Sequence, residues 1–409
     1  MATEGIEPIL AARLAELAGR GTGKGEEQVI CGVKPAGGCF GPRYLLAGQG
    51  ERSFLRMNSN SYLGLALNPQ VIAAAEAAAR RFGAGPGAVR FISGTHSPHV
   101  ELEARLASFH GRQAAMVFSS AYGAMLGILP QLIDPETAVV SDALNHNCII
   151  NAIRLAKPAA KAVYGHNDMA ELEARLAEQA GRARRLVVVT DGVFSMRGDH
   201  VPLERLIALC SRFEERFKEG VVTVVDDSHG VGAFGATGRG TEEQCNARAD
   251  LLVGTLGKAF GVNGGYVAAS STVIRFLRET APFYVYSNPI TPAEAAAALK
   301  AVEIVDSGEG VRLLALLRSL TRRLEQGLGA LGLEFLPGAH PIVPLLLRDT
   351  SRARQLVNHL FGRGILATAI TFPVVPRGDE EIRFQVNASH TEGDIDFLLE
   401  ALASFAGSG

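Results

Sequence analysis

Short apolar runs alternate with helix-like segments through the middle of the chain, and this alternation constrains the fold more than any other feature. Between residues 114 and 270, runs rich in β-branched residues recur, and most are separated by segments with apolar residues at helical spacing. Such a pattern indicates parallel strands joined by crossover helices. The predicted strands are AAMVFSS, TAVVSD, KAVYGH, RLVVVTDG, VVTVVDDSH, LLVGTL and GGYVAAS. We therefore expect an α/β fold, with a mostly parallel, seven-stranded sheet and helices on both faces.

The last two predicted strands are joined differently from the others. Only a short glycine-rich turn separates LLVGTL from GGYVAAS, whereas a parallel crossover needs about a dozen residues or more. One strand is therefore expected to be antiparallel.

The length and a change of composition predict more than one domain. At 409 residues the chain exceeds what a single core usually supports. After Pro292 it becomes rich in alanine and leucine at helical spacing, and the strand-like segments HPIVPLLLRD and EIRFQVNAS follow. We expect an N-terminal arm over residues 1–57, a large domain over 58–292 and a smaller α+β domain over 293–409, joined by the arm.

Charge and cysteine content exclude several classes of protein. The 40 basic and 42 acidic residues give a net charge of −2, which provides no field for a nucleic acid or an anionic membrane. The five cysteines are scattered without a C-x-x-C pair, as is typical of reduced thiols in the cytoplasm. The N-terminal segment does not resemble a secretory signal. The longest uncharged run, residues 114–133, predicts a strand turning into a helix, so no membrane span is expected.

Polar residues follow most of the predicted strands. Ligands of open α/β sheets bind beyond the carboxyl ends of the strands, so these residues are expected to meet at one edge of the sheet. They are Ala121 and Tyr122, then Asn145 and His146, Ser195, Asp226 and His229, and finally Gly257 and Lys258.

This set of residues predicts a cofactor. An aspartate beside a pyridine nitrogen keeps the ring protonated and makes it an electron sink, and a lysine can hold the same ring as a Schiff base. Asp226 and Lys258 therefore indicate pyridoxal phosphate. Backbone N–H groups that open a helix at Ala121 and Tyr122 would bind its phosphate, helped by the Thr255 hydroxyl.

Longer motifs make the indication specific. The chain resembles the α-oxoamine synthases, a family of fold-type-I pyridoxal-phosphate enzymes that includes glycine C-acetyltransferase, 8-amino-7-oxononanoate synthase, 5-aminolevulinate synthase and serine palmitoyltransferase. The resemblance extends from about residue 58 to 391. The matching motifs are NSNSYLGL, GAVRFISGT, SDALNHNCIINAIRLAK, TDGVFSMRGD, VDDSHGVGAFGATGRGT, TLGKAFG and EIRFQVNASHT.

The resemblance implies roles around the cofactor ring. Lys258 in TLGK would form the Schiff base and later remove the Cα proton of the substrate. Asp226 would pair with the pyridine nitrogen, His229 and Ser195 would lie near the phenolic oxygen, and His146 would stack on the ring.

The same resemblance implies substrate contacts and a second subunit. Arg383 would hold the carboxylate of the amino acid as a bidentate clamp, with Asn60 reaching the same group. Family active sites lie between two subunits. Ser287 and Asn288 would therefore contact the phosphate of the partner's cofactor, and a homodimer is expected.

The implied reaction condenses a small amino acid, glycine favoured, with an acyl-CoA thioester. DALNHNCIINAIRLAK, TDGVFSMRGD and FPVVPRGDEEIRFQVNASHT resemble the glycine C-acetyltransferase branch most. Asn147 and Cys148 nevertheless stand where the family commonly has Ala-Ser, and Val262 and Asn263 replace smaller residues. A longer acyl chain, as in 8-amino-7-oxononanoate synthase or serine palmitoyltransferase, is the open alternative, and whether the product loses CO₂ is open too.

Three hypotheses from other classes of protein are disfavoured. A metal-dependent hydrolase would use Asp226, Asp227 and His229 together, but neighbouring strand residues point to opposite faces, so no metal is expected and Asp227 is assigned a structural role. A dinucleotide-binding site is disfavoured because FGAGPGAVR follows a helical segment. A non-catalytic partner subunit would lack the lysine, which is present as Lys258.

Overall fold

The structure is a computed structural model that describes residues 3–20, 23, 26–372 and 374–406. Its strands are β1 Ile30–Lys34, β2 Arg43–Leu46, β3 Ser53–Arg56, β4 Ala114–Phe118, β5 Thr137–Asp142, β6 Ala160–Tyr164, β7 Arg185–Asp191, β8 Val221–Asp226, β9 Leu251–Thr255, β10 Gly265–Ala269, β11 Ile342–Leu346, β12 Ile365–Leu366, β13 Ala369–Ile370 and β14 Glu381–Gln385. Its α-helices are α1 Glu7–Gly19, α2 Pro69–Phe82, α3 Ser97–Phe109, α4 Ala121–Leu132, α5 Asn147–Ala156, α6 Met169–Gln179, α7 Leu203–Phe213, α8 Thr241–Gln244, α9 Ser271–Thr280, α10 Pro282–Val285, α11 Pro292–Val305, α12 Gly308–Ala330, α13 Thr350–Gly362 and α14 Glu392–Ala406. Short 3₁₀ turns cover Leu65–Leu67 and Glu214–Arg216, and a π-helical turn covers Arg90–Gly94.

The central sheet has seven strands in the order β4-β10-β9-β8-β7-β5-β6. They coincide with the seven predicted strands. Strand β10 runs antiparallel to both of its neighbours, β4 and β9, while the other pairs are parallel. The prediction of a mostly parallel sheet with one antiparallel strand is confirmed.

Helices cover both faces of this sheet, which explains why its central strands are continuous apolar runs. Alternate residues of one strand serve opposite faces. Val187 and Val189 of β7 pack with α4, α5 and α9, whereas Leu186 and Val188 pack with α6 and α7.

The C-terminal part contains a second, smaller sheet and carries the N-terminal arm. Strands β11, β14 and β13 are antiparallel and pack with α12, α13 and α14. Strand β3 of the arm pairs in parallel with β12, where Leu55 N donates to Gly364 O at 2.8 Å. Asp394 accepts hydrogen bonds from Gly41 N at 3.0 Å and from Arg43 at 2.6 Å. The arm therefore pairs with the C-terminal part of the chain.

The domain boundaries stay a proposal. We propose the division into 1–57, 58–292 and 293–409, of which residues 1–2, 21–22, 24–25, 373 and 407–409 lie outside the described part. Among the described residues, no helix is both long and apolar enough to cross a membrane. The uncharged run 114–133 forms β4 and α4, as predicted.

Candidate active site

A cavity of about 220 Å³ lies at the carboxyl-terminal edge of the central sheet. Strands β4, β5, β7, β8 and β9 all end there, because they run in the same direction. Eight predicted site residues line it, namely Ala121, Tyr122, His146, Ser195, Asp226, His229, Thr255 and Lys258. The other lining residues are Ser120, Cys148, Asp191, Val193 and Ser228.

Asp226 ends β8 and is held from one side. Its Oδ1 accepts hydrogen bonds from Ser228 N at 3.1 Å and from Ser228 Oγ at 2.5 Å. Its Oδ2 accepts only the thiol of Cys148, at 3.4 Å, among the contacts of the described chain. The carboxylate is buried, so Oδ2 is the oxygen left for a cationic partner in the cavity.

Asp227 points away from Asp226 and locks the following loop. Its Oδ2 accepts from Thr241 N at 2.7 Å and its Oδ1 from Thr241 Oγ1 at 2.6 Å. Burial raises the pKa of Asp227 to about 7 against these hydrogen bonds. A Cβ atom at Gly230 or Gly240 would overlap this carboxylate, so the glycines let the loop close around it. The two neighbouring aspartates are therefore separated, as strand geometry predicted.

Lys258 lies in the loop between β9 and β10 and is partly buried. Burial lowers the pKa of its amine, the charges of Asp226 and Asp191 raise it in part, and Arg383 lowers it further. The net effect is a lowered pKa, which increases the fraction of neutral amine. A neutral amine is what both Schiff-base formation and proton removal require.

His146 is the N-cap residue of α5. Its Nδ1 accepts a hydrogen bond from Cys148 N at 3.2 Å, and its backbone N–H donates to Asp191 Oδ2 at 2.9 Å. Burial lowers the pKa of His146, although Asp226 opposes the effect. The imidazole is therefore neutral, and we assign its proton to Nε2 because Nδ1 is an acceptor.

His229 is fixed by residues from distant segments. Its Nδ1 lies 2.7 Å from the hydroxyl of Tyr62, and its carbonyl accepts from His340 Nε2 at 2.9 Å. Burial, followed by the charge of Lys258, lowers the pKa of His229 well below its usual value. The ring is neutral and its orientation is set by the N-terminal and C-terminal parts of the chain together.

Six predicted residues lie outside the lining of the cavity, among them Gly257 and Asn145, whose side-chain amide donates to Val189 O at 2.8 Å. Arg383 donates from Nη1 to Ser195 O at 2.6 Å, and with the Gln385 amide turned to satisfy both partners, its Nε donates to Gln385 Oε1 at 2.6 Å. Asn60 Oδ1 accepts from Tyr62 at 3.4 Å. The other two, Ser287 and Asn288, follow α10 in an exposed segment.

Some lining residues escaped the sequence prediction. Asp191 ends β7 and is paired in register with Asp226 on β8. Burial, followed by the charge of Asp226, raises the pKa of Asp191 well above its usual value. Its position after an apolar strand is the same signal that identified Asp226. Ser120 caps α4 by accepting from Gly123 N at 2.9 Å, and an N-cap pattern would have found it.

The donor set fits pyridoxal phosphate. An amine with a lowered pKa and a buried carboxylate with one available oxygen lie in one cavity. The first N–H groups of α4, at Ala121 and Tyr122, have no intrahelical acceptors and suit an anion. This fold and this cavity define a fold-type-I pyridoxal-phosphate-dependent transferase.

Comparison with known proteins identifies the family. Residues 52–402 match the family described as aminotransferase class I and II. The human mitochondrial 2-amino-3-ketobutyrate coenzyme A ligase is 38% identical over 399 residues, 97% of this chain and 91% of that protein. The Escherichia coli K12 protein of the same name is 41% identical over 84% of this chain and 85% of its own length. The 8-amino-7-oxononanoate synthase of Fervidobacterium nodosum is 41% identical over 85% and 87%.

Solved structures that superimpose on the chain indicate the same family. Sphingomonas wittichii serine palmitoyltransferase superimposes with a TM-score of 0.88 at 28% identity, covering 99% of this chain and 98% of that one. A structure described as SPT with its PLP internal aldimine gives a TM-score of 0.88 at 26% identity, with the same coverage. The chain belongs to the aminotransferase class I and II family and, within it, to the α-oxoamine synthases, which are pyridoxal-phosphate-dependent C-acyltransferases. The predicted family, fold class and cofactor are confirmed.

Proposed function

We propose that the protein is a glycine C-acetyltransferase. It would join the α-carbon of glycine to the acetyl carbon of acetyl-CoA, releasing coenzyme A and giving a 2-amino-3-oxo acid. The main support for this chemistry is that the partly buried Lys258 amine, whose pKa is lowered, lies in the same cavity as Asp226. One oxygen of the Asp226 carboxylate accepts only a weak thiol donor from the described residues. The human and Escherichia coli relatives named 2-amino-3-ketobutyrate coenzyme A ligase support glycine and acetyl-CoA as the substrates.

When bound, pyridoxal phosphate supplies an electron sink for the charge left on the substrate α-carbon. In this proposal Asp226 Oδ2 pairs with the pyridine nitrogen, and the Lys258 amine takes the Cα proton. His146, a neutral imidazole because burial lowers its pKa, would lie against the face of the ring. His229 would hydrogen-bond the phenolic oxygen, and Ser195 would lie near the same atom. The substrate α-carbon would bond to the acetyl carbon as the thioester C–S bond breaks, and coenzyme A would leave as a thiol with the proton that Lys258 has taken up.

The phosphate and the carboxylate of the substrate need their own partners. The N–H groups of Ala121 and Tyr122, with the Thr255 hydroxyl, are proposed to bind the phosphate. Arg383 is proposed to bind the substrate carboxylate with help from Asn60. Support comes from the contact of Arg383 with Ser195 O, which brings the guanidinium to the loop that lines the cavity.

We also propose a homodimer whose active sites lie at the subunit interface. Ser287 and Asn288 are outside their own cavity, next to Tyr286, whose surface is 81% exposed. Exposed aromatic and aliphatic side chains at Phe91 and Ile92 add to this unpartnered surface. Contact of Ser287 and Asn288 with the partner's cofactor phosphate would explain why these two residues lie outside the cavity of their own subunit. A cytoplasmic location is proposed from the scattered, unpaired cysteines.

A second candidate function is transfer of a longer acyl group. The Fervidobacterium relative is named 8-amino-7-oxononanoate synthase, and the superimposed structures include serine palmitoyltransferase. Cys148, which lines the cavity, and its neighbour Asn147 differ from the usual Ala-Ser of the family, so the pocket is not a copy of one branch.

A substrate matrix distinguishes the two functions. Glycine, alanine and serine are each incubated with acetyl-CoA, pimeloyl-CoA or palmitoyl-CoA, and release of free coenzyme A thiol is measured together with product mass. We expect the reaction of glycine with acetyl-CoA to be fastest. The mass of its first-formed product should show that the carboxylate is retained. If only the combination of serine with palmitoyl-CoA gave product, the acetyltransferase proposal would be wrong and the second candidate would take its place.

A further inference from the structure

The cavity contains a thiol that the proposed chemistry does not use. Cys148, in the first turn of α5, is only 2% exposed. Its Sγ lies 3.4 Å from Asp226 Oδ2 and 3.0 Å from His146 Nδ1. One side chain therefore touches both the carboxylate proposed to pair with the pyridine nitrogen and the imidazole proposed to cover the ring.

The thiol acts as a hydrogen-bond donor to Asp226. Burial, and then the charges of Asp226 and Asp191, raise the pKa of the Cys148 thiol far above its usual value, so it keeps its proton. His146 Nδ1 already accepts the backbone N–H of Cys148 at 3.2 Å. The S–H proton is therefore directed to Asp226 Oδ2.

The two oxygens of Asp226 receive donors of unequal strength. Oδ1 accepts an N–H and an O–H from Ser228, at 3.1 Å and 2.5 Å. Oδ2 receives only the S–H group from the described residues, and a thiol is a weak donor. The carboxylate is thus anchored through Oδ1, while Oδ2 is oriented but keeps most of its negative charge.

We propose that Cys148 is a positioning residue that aims Asp226 Oδ2 into the cavity while withdrawing little of its charge, and so sets the strength of its pairing with the cofactor nitrogen. This inference rests on the proposed role of Asp226. A serine at this position would donate a shorter, stronger hydrogen bond to Oδ2 and compete with the cofactor. An alanine would remove the donor and leave Oδ2 more basic.

The two substitutions should therefore change the bound cofactor in opposite directions. Pairing with Asp226 makes the cofactor ring more positive, which makes its link to Lys258 a stronger acid. In Cys148→Ser, weaker pairing should raise the pH midpoint of the visible absorbance band by about half a unit or more and weaken pyridoxal phosphate binding roughly 3- to 10-fold. In Cys148→Ala, the midpoint should fall by a comparable amount.

The experiment titrates the absorbance of wild type, both variants and Cys210→Ser between pH 5 and 10, and measures cofactor affinity by equilibrium dialysis. Cys210 is also buried but packs on the opposite face of the sheet, with Leu206 and Phe213. Its variant should match the wild-type midpoint. A shift of the same sign in Ser and Ala, as poor packing would give, or no shift in either, overturns the inference. Wild-type protein that takes up no pyridoxal phosphate would instead show that the proposed function itself is wrong.

Discussion

His166, which follows β6, is held between two carboxylates and should act as a charged clamp beside the cavity. Its Nδ1 lies 3.2 Å from Asp142 Oδ1, and its Nε2 lies 2.9 Å from Asp199 Oδ2. Both ring nitrogens face acceptors, so the ring binds best with both protonated. Burial alone would lower the pKa of His166, but the hydrogen bonds to Asp142 and Asp199 outweigh it and raise the pKa to about 9.

The clamp also orients the loop that leads to His146. Asp142 Oδ1 accepts from Leu144 N at 2.8 Å, and its Oδ2 accepts from Asn167 N at 2.9 Å. The chain from Leu144 continues directly into His146 at the start of α5. Loss of the charge on His166 should therefore loosen the two loops that end β5 and β6.

The raised pKa fixes both the sign and the size of the effect. A folded-state pKa of about 9, against about 6.5 in the unfolded chain, stabilises the folded protein fully below pH 6.5. This contribution is lost as pH rises through 9. At ~1.4 kcal/mol per unit the upper bound is roughly 3 kcal/mol. Because the side chain is 18% exposed, screening by solvent should leave roughly 1–2 kcal/mol.

The test compares the free energy of unfolding of wild type and His166→Gln at pH 7 and pH 10, from urea unfolding followed by circular dichroism with excess pyridoxal phosphate. The variant should be less stable by roughly 1–2 kcal/mol at pH 7, and the difference should nearly vanish at pH 10. His200→Gln is the matched control. Burial lowers the pKa of His200, so it is neutral across this range. A gap for His166→Gln that stays constant from pH 7 to pH 10 would refute the charged clamp.

Three further predictions concern the proposed chemistry. Lys258→Ala should lose both the visible absorbance of the bound cofactor and all measurable turnover; an unchanged spectrum would rule out the Schiff-base role. Asp226→Asn should slow exchange of the glycine Cα proton in D₂O by about 100-fold or more, because the ring nitrogen loses its anionic partner. Asp227→Asn should lower the unfolding midpoint in urea and slow exchange much less, and equal rates in the two variants would contradict their separation. Arg383→Lys should raise the KM for glycine about 10-fold or more through loss of a bidentate contact, while the KM for acetyl-CoA stays within about 2-fold; equal increases in both values would argue against the carboxylate clamp.

The central sheet was predictable because its signals are local. Each buried strand is a short run of β-branched residues, and the length of the turn before β10 is enough to fix that strand as antiparallel. The strand-end rule also found seven residues of the cavity lining, since parallel strands bring their carboxyl ends together, and the phosphate argument added Thr255. These predictions needed no knowledge of side-chain contacts.

The arm and several site contacts were not predictable in this way. Strand β3 pairs with the two-residue strand β12, which follows it by more than 300 residues. The sequence of neither segment indicates that the two strands pair. The contact of Cys148 with Asp226 joins the start of α5 to the end of β8. The sequence showed only that Cys148 differs from its usual family residue. Contacts between distant segments depend on rotamers and packing, which periodicity does not encode.

The segment that follows β8 depends both on local strand geometry and on contacts with distant parts of the chain. The alternation of the strand directs Asp226 to the cavity and Asp227 to Thr241, and this separation follows from backbone geometry alone. By closing the loop, Asp227 places His229 where its carbonyl accepts from His340 and its ring meets Tyr62. His340 precedes β11 and Tyr62 lies in the segment between β3 and α2, so the orientation of His229 depends on how that segment and the C-terminal part pack on the sheet. Burial lowers the pKa of His340 to about 3, which keeps this hydrogen-bond chain neutral. A change in that packing should therefore alter the orientation of His229 more than that of Asp226. Asp226 is held by Ser228, only two residues away in the chain.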